Sequence, residues 1–190
     1  MSMAPIPRWN AQGLLPPMDA RNPASAWRSP YLVGMTDLVL RFGTSDERRQ
    51  ILDGLLYYRA ELYAVGITTG FQWLDGSFLE EIEKLEARAP RDVDVVTFFE
   101  LPAGQTQADV LNRNRNLFDR KKTKAAYRVD AFPLCLGGAA KPLIERSTCW
   151  YSLWSHRRDL RWKGYLEVGL SAAEDAAARA NLNVVVGSAL

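Results

Sequence analysis

The stretch from Gly70 to Glu100, GFQWLDGSFLEEIEKLEARAPRDVDVVTFFE, most narrows what this chain can fold into. Phe71, Trp73 and Leu74 lead into Asp75-Gly76-Ser77. An amphipathic segment follows, then a Pro90-Arg91 break, then Asp92-Val93-Asp94-Val95-Val96 running into Thr97, Phe98 and Phe99. The pattern predicts strand, glycine turn, helix, strand. Side chains alternate along a strand, so Asp92 and Asp94 project from one face about 7 Å apart, with Val93 and Val95 on the other. Two carboxylates at the mouth of an apolar strand repel each other unless a cation or a proton lies between them. Hard divalent cations take oxygen ligands, and Mg²⁺ in phosphoryl-transfer sites is held by one or two carboxylates plus substrate phosphates. The glycine turn supplies a complementary feature. Glycine lets backbone approach a phosphate closely, and the N–H groups that open the next helix offer an anion site.

This order of parts resembles the signature of the polymerase-β-like nucleotidyltransferase superfamily: a Gly-Ser pair at a helix start, a gap, and Asp-x-Asp on the next strand. Here the parts are Gly76-Ser77, fourteen residues (78–91), then Asp92-Val93-Asp94. In that superfamily a third carboxylate comes from a later strand, and the matching position is Asp130 in Tyr127-Arg128-Val129-Asp130-Ala131-Phe132. The resemblance covers roughly residues 66–135, and its wider wording (GFQWLDGSF, RDVDVVTFF) is similar to a small, uncharacterised bacterial branch. It implies a nucleotidyltransferase-like α+β fold, with a mixed sheet and helices mainly on one face. It also implies two Mg²⁺ ions on Asp92, Asp94 and Asp130, Mn²⁺ being an alternative, with Gly76 and Ser77 holding the β- and γ-phosphates of a nucleoside triphosphate. The plain alternative is that Asp92 caps a strand and Asp94 pairs with Arg88 or Arg91.

At 190 residues the chain is long enough for one domain with a proper core and short for two. A 47% hydrophobic and 24% charged composition is that of a globular protein, and a net charge of +2 names no partner. No apolar run approaches the roughly 18–20 residues of a membrane span. MSMAPIPRWN lacks the basic and apolar regions of a secretory signal, so a cytoplasmic protein is expected. Cys135 and Cys149 match no metal-ligand spacing and are expected reduced and mostly buried; His156, the single histidine, is expected to be solvated or structural.

Six of the ten prolines fall in residues 1–31. That arm should be irregular, and its Trp9, Leu14, Leu15, Met18 and Trp27 should pack on the body formed by residues 32–190. Helices are expected from Thr36 to Phe42, after a Thr44/Glu47 capping box, from Ser77 to about Ala87, and from Thr106 to about Asp119. A short helix from Lys141 to Ser147 and an Ala-rich one from Ser171 to about Ala180 complete the set. Strands are expected over Ile67–Leu74, Asp92–Phe99, Tyr127–Leu136 and Lys163–Leu170, with Asn181–Leu190 as an edge strand or tail. Arg113, Arg115, Arg120, Lys121, Lys122 and Lys124 form the densest basic cluster, read either as a polyanion-binding surface or as a solvated helix end. Trp150, Tyr151 and Trp154 either stack a base or build core.

The expected activity is Mg²⁺-dependent transfer of a nucleoside monophosphate from a nucleoside triphosphate to an acceptor hydroxyl. Asp130 would complete the metal site and accept the acceptor's proton, and Glu80 and Glu81 would be supporting groups or a solvated face. The acceptor, RNA, protein or small molecule, is left open, as is a toxin–antitoxin or phage-defence setting. So short a chain suggests that a homodimer or protein partner completes the acceptor site. Two further readings are open: a catalytically inactive module of the same fold that binds a nucleotide or protein partner, and a metal-dependent nuclease.

Overall fold

The computed structural model describes residues 5–187, with side chains through residue 183. Its sheet has five strands: β1 (Tyr31–Leu32), β2 (Gly70–Asp75), β3 (Val93–Phe99), β4 (Val129–Cys135) and β5 (Leu166–Gly169), in the order β1-β5-β2-β3-β4. β2 runs antiparallel to both neighbours, whereas β3–β4 and β1–β5 are parallel pairs, so the sheet is mixed. Around it stand α1 (Met35–Phe42), α2 (Asp46–Ala64), α3 (Ile82–Glu86), α4 (Gln107–Arg113), α5 (Arg115–Phe118), α6 (Arg120–Tyr127), α7 (Ala140–Trp154) and α8 (Ala172–Gly187). The fold is α+β, the class that the resemblance implies.

α2 is the scaffold. It buries Ile51, Leu52, Leu55, Leu56, Tyr58 and Leu62 against the face that also carries Gln72, Leu74, Val95 and Thr97. Each such side chain contributes about 1.5–3 kcal/mol on burial, far more than helix propensity could. Its cap is Ser45, whose hydroxyl accepts from Arg48 N at 3.3 Å, rather than Thr44. Thr44 N is already committed to the Phe42 carbonyl in a tight turn, so helical geometry begins only afterwards. Gly54 lets α2 touch the end of α6: a Cβ there would lie 1.9 Å from the Tyr127 carbonyl oxygen. α1 and α8 flank α2. α7 lies on the opposite face of the sheet, where Trp150 meets Phe132 (ring centroids 4.4 Å apart) and Trp154 meets Tyr165 (5.8 Å).

Several expected elements differ in extent, each for a local reason. The helix expected over Ser77–Ala87 is a 3₁₀ turn, Ser77–Leu79, followed by the five-residue α3. The Arg48 guanidinium takes the carbonyls of Phe78 (2.6 Å) and Glu80 (2.7 Å), which a continuous helix would offer to its own amides. The Thr106 helix has its capping box with Asp109, but it breaks at Asn114. There the Asn114 side-chain amide takes the Val110 carbonyl at 2.9 Å, as short polar side chains do in competition with the helix ladder. Asp119 then caps α6 through the amides of Lys121 and Lys122.

Lys141–Ser147 and the aromatic run after it form one helix, α7, because Trp150 and Trp154, four residues apart, both face the sheet. Tyr127 ends α6 rather than opening β4, with Arg128 left-handed between them (φ 56°). α8 runs through Asn181 to Gly187 where an edge strand or tail was expected; residues 188–190 of that expectation lie outside the described residues. The N-terminal arm, of which residues 1–4 are likewise outside, buries Leu14 and Leu15, and Trp9 Nε1 donates to the Leu79 carbonyl at 2.7 Å. Both cysteines are free thiols, but Cys149 is exposed on α7 and Cys135 half-buried, against the expectation of burial. No helix among the described residues is long and apolar enough to cross a membrane.

Candidate functional site

Strand register assembles the site. Asp75 on β2 is paired with Asp94 on β3, and Asp94 with Asp130 on β4. Directly opposed residues share a face, so three carboxylates stand in a row across three neighbouring strands. Asp92, two residues before Asp94 and just ahead of β3, points the same way. Asp92, Asp94 and Asp130 are therefore brought together, with Asp75, at the end of β2 rather than in the turn, as a fourth member. The signal for Asp75 was its phase: Phe71, Trp73 and Asp75 alternate onto one face.

Gly76 and Ser77 fold over this row. Gly76 has φ 91°, a conformation that side chains rarely adopt, and a Cβ there would lie 2.5 Å from Asp94 Oδ2. Only glycine lets the turn pass so close to the carboxylate. The turn opens a three-residue 3₁₀ helix rather than a full α-helix. The helix dipole expected to favour a phosphate is therefore missing at this turn.

The electrostatics are uneven along the row. Asp130 is gripped by Arg120 through two bonds, Nε–Oδ1 at 2.7 Å and Nη2–Oδ2 at 2.9 Å. Burial pushes the Asp130 carboxyl up, but Arg120 and Lys124 outweigh it and hold the group below the usual carboxylate range. Lys124 Nζ bridges Asp92 (2.8 Å) and Asp130 (3.5 Å). Asp94 makes no ion pair and accepts no side-chain hydrogen bond among the described residues; neither Arg88, which pairs with Glu86, nor Arg91 reaches it. Burial, with Asp130 and Asp92 beside it, pushes Asp94 up to about 6.

Beyond Asp94, Asp75 is only 3% exposed and burial raises it to about 7 against the pull of Lys163. Lys163 Nζ stands 2.9 Å from Asp75 Oδ1, close enough to pair by charge but not aligned to donate, since Oδ1 accepts no hydrogen bond. Burial works against the Lys163 ammonium, yet Asp75 and Glu80 outweigh it and hold it charged. Glu80, buried rather than a solvated face, joins Lys163 (3.2 Å) to Arg157 (2.9 Å). Lys163 and Arg157 had no sequence signal, because nothing local marks a buried lysine or a partly buried arginine whose partner, Glu80, lies far away in the chain.

These groups line a cleft of about 940 Å³. Its walls add the cations Arg88, Arg91 and Arg158 to those already named, and an aromatic side formed by Phe132, Trp150 and Trp154. Among the described residues no group of three or more His, Cys, Asp or Glu is arranged to hold a metal ion as it stands. The donor chemistry nonetheless suits a hard divalent cation, since the row is all carboxylate oxygen and one member, Asp94, lacks a counter-charge. Lys124 and Arg120 occupy the neighbouring oxygens, so such an ion would have to displace an ammonium from between Asp92 and Asp130.

The fold and the cleft together define an α+β protein whose mixed sheet ends in a row of carboxylates walled by cations and aromatic rings. Over residues 7–169 the chain matches the family of unknown function DUF6932, and it belongs to that family. The matched residues contain all five strands and every residue lining the cleft, and leave α8 outside. No curated protein and no solved structure matches the chain.

Proposed function

We propose that the chain is a nucleotidyltransferase that moves a nucleoside monophosphate from a nucleoside triphosphate to an acceptor hydroxyl. The observation that carries this reading is the in-register row Asp75–Asp94–Asp130, with Asp92 beside it and Gly76 folded against Asp94. Asp92, Asp94 and Asp130 would hold Mg²⁺, which when bound neutralises charge on the attacking and leaving oxygens of an in-line displacement. Gly76 and Ser77 would bind the β- and γ-phosphates. Arg88, Arg91 and Arg158 give the cleft the positive wall that a triphosphate needs, and the Phe132–Trp150–Trp154 side is the place for a base. Lys163 would hold Asp75 and Glu80 in place behind the reacting groups.

One observation favours a second reading, a module of the same fold that binds a nucleotide or a protein partner without catalysis. Arg120 and Lys124 sit on Asp130 and Asp92, where catalytic cations would be held. Titration calorimetry with nucleoside triphosphates, with and without Mg²⁺, separates the two. Transfer requires binding that depends on Mg²⁺ and disappears in Asp92→Asn/Asp94→Asn. Binding indifferent to the metal and to these substitutions supports the non-catalytic module, and no binding of any triphosphate removes the transfer reading and leaves only a module for a protein partner.

A further inference from the structure

α6 divides the basic cluster into two. Arg120 and Lys124, four residues apart, share one face and reach the carboxylates. Lys122 lies about 200° around the helix from Arg120. With Arg113 and Arg115 it lines a second pocket, of about 670 Å³, on the other side. α6 is thus the wall between the two pockets.

We propose that this second surface, the ridge of α4, α5 and α6, binds the backbone of a single-stranded nucleic acid. Between residues 113 and 128 only Arg120 and Lys124 form ion pairs among the described residues, which leaves Arg113, Arg115, Lys121, Lys122 and Arg128 without a carboxylate partner. The one carboxylate in that stretch before Asp130, Asp119, is committed to capping α6, and Glu61 of α2 is the one carboxylate among the residues that line the pocket. Four of these cations on three short adjoining helices, with Arg128 just past the last, repel one another, and a polyanion laid along them relieves that repulsion and releases its own condensed counterions.

The chemistry between the cations favours a nucleic acid over an acidic protein. Asn112, Asn114 and Asn116 alternate with Arg113 and Arg115 around the pocket. Side-chain amides carry a donor and an acceptor together, as base edges do. The half-buried ring of Tyr127 offers a base a stacking surface. A protein partner would need an apolar anchor, and apart from Tyr127 the pocket offers only Val65, Ala126 and the buried Leu117. Lys122 Nζ and Arg115 Nη2 at present bond only neutral acceptors, Asn116 Oδ1 (2.6 Å) and Asn112 Oδ1 (3.3 Å), which a phosphate readily replaces.

A strand on this ridge lies one helix away from the carboxylate row. Calling it the acceptor rests on the nucleotidyl-transfer reading; its binding does not.

The test is fluorescence anisotropy of end-labelled, unstructured 12-nucleotide RNA and DNA with the full chain, over a salt series, with triphosphate binding at the cleft measured in parallel. Binding should weaken with salt at a log–log slope of about −0.7 per phosphate contacted. Arg113→Gln/Arg115→Gln/Lys122→Gln, at exposed positions and with an unchanged unfolding midpoint, should bind tenfold or more weakly and with a slope shallower by about 2. Asp94→Asn should bind the strand as the native chain does. The proposal is overturned if no strand binds at low salt, if the triple variant binds equally, or if poly-glutamate competes as well as RNA. Strand binding with no triphosphate in the cleft supports the ridge and sinks the transfer reading. Triphosphate binding with no strand on the ridge overturns the ridge alone.

Discussion

The two faces of one sheet bury charge in opposite ways. On the α2 side Arg59, 0% exposed, is fully answered. It donates to both oxygens of Asp175 (2.7 and 2.9 Å), to Gln72 Oε1 (2.8 Å) and to the Gly169 carbonyl (2.7 Å). Tyr63 donates to Asp175, and Gln72 passes its amide hydrogen to Thr97. On the other face, the two neighbouring strands that bear Gln72 and Thr97 also bear Asp75, which pairs by charge with Lys163 alone, and Asp94, which has no counter-charge among the described residues. A closed network locks helix to sheet. An open one stores unfavourable charge that a ligand can relieve, which is the physical mark of a binding site.

Breaking the closed network should have the larger effect. Arg59→Met leaves Asp175 buried without its counter-charge and should lower stability by about 3–5 kcal/mol in urea unfolding. A loss below about 1 kcal/mol would mean that water already reaches the pair and that the contrast between the faces is weaker than drawn.

The open network should respond in the opposite sense. Asp94 is raised from 3.8 to about 6 in the folded chain, so its ionised form is disfavoured there. Below the unfolded value both states are protonated and nothing is lost. As pH rises through about 6 the folded state loses stability, on the order of 2–3 kcal/mol in full. Asp94→Asn should therefore melt higher than the native chain at pH 8 and match it near pH 3.5. Mg²⁺ should raise the native midpoint more at pH 8 than at pH 5. An Asp94→Asn chain that melts lower at pH 8 would show that Asp94 is a structural partner after all. The smallest effect belongs to neither face: Lys141 and Glu145 on α7, 3.7 Å apart and 85% and 62% exposed, should tolerate alanine within about 0.5 kcal/mol.

The strand pair and its acids could be read directly because period-two alternation is local. Asp92 and Asp94 share a face whatever the rest of the chain does, and Gly76 declares a turn that a Cβ would block. Helix ends were harder, because they were set by side chains arriving from elsewhere. Arg48, on α2, took the Phe78 and Glu80 carbonyls and cut the expected helix short. Asn114 did the same locally, and there a short polar residue in mid-helix was a signal that periodicity outweighed.

The chain's own pattern determined helices and strands in alternation, an apolar strand ending in Asp75-Gly76-Ser77, and a second strand opening with paired acids. Tertiary structure alone decided that Asp75 and Asp130 flank Asp94, that Lys163 and Glu80 lie buried behind them, and that α6 presents Arg120 and Lys124 to one pocket and Lys122 to another. The reason is range. Which face a side chain takes follows from neighbours two to four residues away, but which charges meet across strands follows from register and burial set over the whole core.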